Sequence, residues 1–432
     1  MSPLITSTIA DLTYYASRSP LPSAFEPLRG LAYADVAIVG GGLAGLSAAL
    51  QLAGGGYRVA LLEAHRMGGG ASGRNGGQAL PGIAASQARL RAHAGADAAR
   101  AIWEMSLEGL DLLRRQITRL QIDCDWREGH MHVADRPRQI AELNTWQREL
   151  NDDYDYDSLR MIERDELTRL IGSSRYHAAL FDSRAGHLDP LAYTRGLAAA
   201  AARVGVHLHE NSPALRYDHS DAQRLRVQTA DGELRCQHLL LAGNASLGDL
   251  APQLRRKIMG VGTYMIATEP LGEERAQQLI ANNASVSDMN WILDYFRRSA
   301  DHRLLFGGRV SYGGLTTPGN DAATRARMVR VFPQLKDVRI DYSWGGLLDI
   351  TMNRMPHFGQ LAPNVWFLQG FSGQGLALTG IAGVLAAEAI SGTAERFDVF
   401  ARLRHRNFPG GKLLARPLLA LAMTWYRLRD LL

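Results

Sequence analysis

The sequence predicts a mixed α/β (α+β) fold. A parallel-sheet domain is assembled from three separated stretches of chain, and a second domain on a mostly antiparallel sheet is inserted between them. Three observations carry this. Over residues 35–62 an apolar strand, a glycine-rich turn, an alanine-rich helix and a second apolar strand follow one another, the order of a βαβ unit. Short buried-type strands recur at Leu239-Leu240-Leu241-Ala242 and Val365-Trp366-Phe367-Leu368. Between those two, residues 258–312 change to strand patterning with turn punctuation. The boundaries are 1–86, 187–257 and 341–432 for the parallel-sheet domain, and 87–186 and 258–340 for the inserted one.

Taken in order, residues 1–33 are Ser/Pro-punctuated and read as an arm laid over a domain. Asp35 to Val39 is the first strand, Leu43 to Ala53 the helix and Tyr57 to Leu62 the second strand. Residues 97–120 and 139–150 have helical spacing, the first with the apolar stripe Ile102, Met105, Leu110, Leu113 and Ile117. Pro190 to Val204 is an alanine-rich helix. Trp291 to Arg297 and Arg303 to Gly308 flank the polar turn Arg298-Ser299-Ala300-Asp301-His302, a hairpin pattern. Leu376 to Ile390 is an apolar helix after a glycine-rich lead. Leu413 to Leu432 is leucine-rich, but Arg416, Pro417, Arg427 and Arg429 interrupt it, so it cannot span a bilayer. A helix packed on the protein surface is expected there, with membrane-surface contact through its arginines as the alternative.

Composition bounds the function. At 432 residues, with 46% hydrophobic and 21% charged residues, the chain is an ordinary folded protein, neither disordered nor collagen-like. The net charge of +5 is diffuse, with no basic run, so no nucleic-acid partner is expected. Cys124 and Cys236 form no CxxC pair or disulfide framework, and the N-terminal segment has no basic stretch leading into an apolar one. Both features suit the cytoplasm.

The chemistry concentrates in glycine-rich segments. Gly40-Gly41-Gly42-Leu43-Ala44-Gly45 satisfies GxGxxG, follows a strand and opens a helix, with Glu63-Ala64 after the second strand about twenty residues on. Gly40 would make the turn, Gly42 would admit a pyrophosphate to the helix N-terminus, and Gly45 would let helix and strand pack. Glu63 would accept from ribose hydroxyls. This Rossmann-like fingerprint serves NAD and FAD alike. The segment that follows, Gly68-Gly69-Gly70-Ala71-Ser72-Gly73-Arg74-Asn75-Gly76-Gly77-Gln78, is a backbone-lined loop suited to a large planar ring, which favours FAD. Ala214, Gly243, Asn244, Gly373, Gln374, Gly375 and Leu376 complete the expected cofactor set.

Together with Gly370-Phe371-Ser372-Gly373-Gln374-Gly375, these motifs resemble the FAD-dependent D-amino-acid oxidase superfamily, and within it the γ-glutamylputrescine and γ-glutamylpolyamine oxidases. Tyr14-Tyr15-Ala16-Ser17, Ala242-Gly243-Asn244-Ala245, Phe332 to Lys336, Arg354 to Gly359, Ala394 to Asp398 and Phe408 to Gly411 extend the resemblance over almost the whole chain. It implies a Rossmann-like FAD-binding domain roofed by the inserted sheet. It also implies noncovalent FAD, a small-molecule amine as substrate and molecular oxygen as acceptor. A primary amine on a γ-glutamylated polyamine would become an aldehyde, with release of ammonia and hydrogen peroxide. A dehydrogenase for D-amino acids or secondary amines feeding a quinone is the rival within the superfamily, and a flavin-binding redox sensor the rival outside it. Relatives commonly carry a His in the last glycine-rich segment, where this chain has Gln374.

On the substrate side, period two puts Tyr295 and Arg297 on one face of the hairpin and Asp294 and Phe296 on the other. An aromatic ring and a guanidinium would then line a slot, the latter holding a carboxylate or pairing at the surface. Trp344, Tyr264 and Arg309 are further candidates. In amino-acid-oxidising relatives an arginine before the Pro-containing motif grips the substrate carboxylate. Here Leu347-Leu348-Asp349-Ile350-Thr351-Met352 stands in that stretch, which implies that the oxidised carbon carries no carboxylate. Asp349 is expected near a secondary amine of a polyamine or on the surface. His130 and His132 share a strand face but lack a third ligand, so no metal is expected.

Overall fold

The computed structural model describes residues 13–19, 24–221, 224–290, 293–311 and 320–409. The expected C-terminal helix, the first twelve residues of the arm, and Trp291 lie outside the described residues. No described helix is long and apolar enough to cross a membrane.

The parallel layer is a six-stranded sheet in the order His357–Ala362, Val365–Gln369, His238–Leu241, Val36–Val39, Val59–Leu62, His207–His209. The inner strands Val36–Val39 and Val59–Leu62 are buried along their length, which explains why each reads as a continuous apolar run rather than an alternation. Only the edge strand His357–Ala362 runs antiparallel to its neighbour. Small residues let the helices on this sheet touch backbone to backbone. A Cβ on Gly383, in the helix Leu378–Ile390, would lie 2.5 Å from the Ala44 carbonyl oxygen in the helix Leu43–Gly54. Ser47 Oγ donates to the Gly380 carbonyl at 2.7 Å across the same contact.

The inserted layer is a nine-stranded, mostly antiparallel sheet. One face packs Phe296, Phe306, Phe332, Tyr176 and Ile266 into a separate core, with Phe296 stacked on Phe306 at 5.7 Å. The hairpin forms as expected, Tyr295–Arg298 pairing with Leu304–Ser311. A smaller four-stranded sheet, containing Gly30–Tyr33 and Gly232–Cys236, flanks the parallel layer.

Strand pairing corrects two boundaries. Residues 341–351 were assigned to the parallel domain, yet Ile340–Thr351 pairs along its length with Ile258–Thr268 in the antiparallel sheet. The last apolar helix begins at Leu378, not at Leu376. Ser372 and Gly373 have φ of 57° and 94°, a left-handed conformation that no right-handed helix accommodates.

Candidate active site

The turn after Val36–Val39 is built for close approach. Gly40 has φ of 119°, and a Cβ there would lie 2.7 Å from Ala242. A Cβ on Gly45 would lie 2.1 Å from the Gly40 carbonyl oxygen, so the helix can start beside the strand only without side chains at both positions. No side chain caps the helix Leu43–Gly54 from its N-cap Gly42. Ser72 Oγ takes the Leu43 N–H at 3.0 Å and lies 2.7 Å from where a Gly42 Cβ would be. The nucleotide turn is thereby joined to the second glycine-rich segment.

Glu63 stands at the end of the neighbouring strand. Its Oε2 accepts from Gly41 N–H at 2.7 Å and its Oε1 from His65 N–H at 3.0 Å. Burial pushes its carboxyl pKa up while those two backbone bonds oppose the rise. Each oxygen keeps a lone pair for a hydroxyl. The segment containing Ala214 runs beside it through Ser212 N–H, which donates to the Glu63 carbonyl at 2.8 Å; Ala64 is exposed on the rim.

The loop Ala71–Gln78 is held from outside at four consecutive carbonyls. Trp344 Nε1 donates to Arg74 O at 3.1 Å, Tyr15 Oη to Asn75 O at 3.0 Å, Arg297 Nε to Gly76 O at 2.9 Å and Leu188 N to Gly77 O at 2.8 Å. Inside the loop, Asn75 Nδ2 donates to Ala71 O and Ser72 O, and its Oδ1 accepts from Gly77 N–H. Gln78 Nε2 reaches Val286 O on the antiparallel sheet. A Cβ on Gly76 would lie 2.8 Å from the Tyr295 ring, and one on Gly77 3.0 Å from the Arg297 guanidinium. The sheet therefore sits directly on this loop, and the loop is glycine where it is touched.

The third segment closes the site. Asp349, 1% exposed, accepts from Gly370 N–H at 2.5 Å and from the Asn244 side chain. Asn244 itself sits at φ of 52° in the turn after His238–Leu241, next to Gly243. Burial raises the Asp349 pKa to about 6. Gln374 Nε2 donates to Pro81 O at 2.6 Å, Leu376 joins the core, and Thr379 N–H closes on Gly375 O at 2.8 Å. A Cβ on Gly373 would come 3.9 Å from Leu348 Cδ2, so an apolar side chain of the sheet overhangs this segment.

The structure revises several substrate-side expectations. Arg297 is neither at the surface nor an open clamp. It is 2% exposed, and besides Gly76 O it bonds Arg298 O at 3.2 Å and Tyr15 Oη at 3.2 Å. Its guanidinium is a brace. Trp344 and Tyr295 also face the loop, as period two placed Tyr295 and Arg297. Tyr264 does not. It alternates with Met265, which packs with Trp344, so it points to the opposite face of the strand. Arg309 lies on Leu304–Ser311, but its side chain is outside the described residues. Asp349 is buried, which removes the surface alternative. His130 is buried and His132 half-buried, with rings 4.4 Å apart, and His130 bonds Ser285 Oγ and Ser287 Oγ at 2.8 and 2.9 Å. Burial lowers His132 to about 4.

Sequence reasoning missed His187 and the role of Tyr15. His187 Nε2 donates to Asn283 O at 2.7 Å, turning Nδ1 toward Arg297 Nη1 at 3.5 Å. The paired tyrosines Tyr14-Tyr15 were the one signal for the arm, and nothing local says what they touch.

A glycine cradle that side chains would fill, a helix start whose N-cap residue is a glycine, and an acid beside it fit a dinucleotide. The braced loop under an antiparallel sheet fits the flavin of FAD. This is the architecture of a flavin-dependent oxidoreductase. The FAD dependent oxidoreductase family, DAO, matches residues 35–389, and the chain belongs to it. It is 41% identical to gamma-glutamylputrescine oxidoreductase of Escherichia coli, over 97% of this chain and 98% of that protein. It is 38% identical to a probable oxidoreductase, OrdL, of Haemophilus influenzae, over 97% of each. Among solved structures it resembles glycine oxidase from Geobacillus kaustophilus, with TM-score 0.71 and 20% identity over 83% of this chain and 95% of that one. L-amino acid deaminase from Proteus vulgaris gives TM-score 0.72 and 20% identity over 89% and 96%. These two share the fold.

Proposed function

We propose that this FAD-dependent oxidoreductase oxidises a primary amine on a γ-glutamylated polyamine, such as γ-glutamylputrescine, to the aldehyde. The two-electron oxidation gives an imine that water hydrolyses to the aldehyde and ammonia, and molecular oxygen takes the two electrons and two protons to become hydrogen peroxide. The observation that carries the substrate class is the full-length similarity to the Escherichia coli enzyme named for γ-glutamylputrescine. The site agrees with it. The side chain that overhangs the last glycine-rich segment is the apolar Leu348. An apolar overhang desolvates a bound ammonium and favours the neutral amine, the form that can lose hydride. FAD, when bound, supplies the two-electron acceptor. The chain holds it through the turn Gly40–Gly45, Glu63 and the braced loop, and positions the amine against it. Binding is noncovalent in this reading, since burial holds the Cys124 and Cys236 thiols up at about 12, far from the reactive thiolate.

Anaerobic mixing with free amines, γ-glutamylated amines and D-amino acids tests the reading. Flavin bleaching by glutamylated amines, and peroxide on admitting air, are expected. Fast reduction by a free D-amino acid, with none by glutamylated or free polyamines, would overturn the substrate class. Reduction without peroxide would move the acceptor from oxygen to a quinone.

A further inference from the structure

The loop Ala71–Gln78 has an asymmetry that its glycines do not account for. The peptide bonds here are trans, since there is no cis peptide among the described residues, and in a trans peptide the N–H points opposite to the C=O of the same plane. Trp344 Nε1 holds the carbonyl of the Arg74–Asn75 peptide, and Tyr15 Oη that of the Asn75–Gly76 peptide. The N–H groups of those two planes, on Asn75 and Gly76, have no hydrogen-bond partner among the described residues. The next plane differs, because Gly77 N–H is already taken by Asn75 Oδ1. Two adjacent backbone donors are thus directed away from the sheet by two side chains on the other side of the chain.

We propose that Tyr15 and Trp344 are positioning residues that aim the Asn75 and Gly76 N–H groups at the bound FAD, with Tyr15 supplied by the N-terminal arm. Tyr15 is suited to the task. It is fully buried, its ring meets Trp344 edge-on at 5.3 Å, and its hydroxyl donates to Asn75 O while accepting from Arg297 Nη2. Arg297 then holds the next carbonyl, Gly76 O. One hydroxyl therefore links the arm, the antiparallel sheet and the cofactor loop. The arm helix Tyr14–Arg18 is in turn fixed to the hairpin turn by a separate bond, Tyr14 Oη to Asp301 Oδ1 at 2.5 Å. Tightening of FAD by these two donors does not depend on which amine is oxidised.

The separate bond provides the control. In the holoenzyme, Tyr15→Phe removes only the hydroxyl and should weaken FAD about five- to tenfold, the effect of one unmade hydrogen bond. It should also displace the flavin's visible absorption bands and midpoint potential, which a general loosening of the fold would not move. Trp344→Phe should displace them as well, whereas Tyr14→Phe, which removes the hydroxyl bond from the same helix to the hairpin turn, should leave affinity, spectrum and potential unchanged. Unchanged flavin properties in Tyr15→Phe overturn the proposal. So does a Tyr14→Phe variant that reproduces its changes, since arm docking alone would then be the cause. If Tyr15→Phe does not yield folded protein, Trp344→Phe decides by the same flavin readouts.

Discussion

Asp349 should make the folded state less stable as pH rises through the weakly acidic range. Its carboxyl is buried among the Gly370 N–H, the Asn244 side chain and neighbouring backbone, with no cation against it, so desolvation outweighs the hydrogen bonds and lifts its pKa to about 6. In the unfolded chain an aspartate titrates near about 3.9. Below about pH 4 both states hold the proton, and the group contributes no slope. Between about pH 4 and 6 the native state keeps the proton that the unfolded chain has lost, so each step up in pH favours unfolding. At about 1.4 kcal/mol per pH unit, the penalty reaches about 3 kcal/mol by neutral pH. Asp349→Asn stays neutral throughout. Any hydrogen bond it lacks is missing at every pH, so the slope of the difference isolates the charge. Urea unfolding of both proteins at a series of pH values, with saturating FAD, should show the variant gaining about 3 kcal/mol on the wild type between pH 4 and 7. A flat difference across that range would refute the buried, ionisable assignment.

Glu63→Ala should weaken FAD by about 1.5–3 kcal/mol, the range for hydrogen bonds to a charged group, read as flavin fluorescence recovered on dilution; equal affinity would mean that the acid points away from the ribose. Gly45→Ala puts a Cβ 2.1 Å from the Gly40 carbonyl oxygen and should abolish flavin retention on gel filtration, since the helix must retreat from the strand. Gly383→Ala forces apart the helices Leu43–Gly54 and Leu378–Ile390 and should cost about 1–3 kcal/mol of stability in a denaturation curve. Acid precipitation should leave all the flavin in the supernatant; colour in the pellet would show a covalent bond.

The parts of the site legible in the sequence are those that the chain makes locally. Strand, Gly40–Gly45 turn and helix are contiguous, and Glu63 follows from the length of one βαβ unit, so spacing alone located them. Alternation likewise gave the shared face of Tyr295 and Arg297, because both lie on one strand. What that face meets depends on where the arm and the loop Ala71–Gln78 dock against it, which no local pattern encodes. For this reason Arg297 read as a clamp when it is a brace, and Tyr264 read as facing the site. Tyr15 and Asp349 were obscure for a related reason. The hydroxyl of the first bonds a residue 60 positions away, and the second is an acid whose partners, the Gly370 N–H and the Asn244 side chain, come from two other segments of the chain.

The six-stranded sheet has a consequence for how the protein comes to exist in the cell. Val36–Val39 leaves the ribosome well before one flanking strand, His238–Leu241, and Val365–Gln369 beyond that strand is made later still. The contact that seats the cofactor helix, Ser47 to Gly380, spans 333 positions. A nascent chain therefore carries an open parallel edge and an unfinished cradle until those segments are made, a state with slow closure and exposed apolar surface. FAD can recognise only the nearly complete chain, and by binding that state alone it draws the population toward it. Supply of the vitamin-derived cofactor thus becomes a determinant of how much protein survives quality control, independently of any demand for its catalysis.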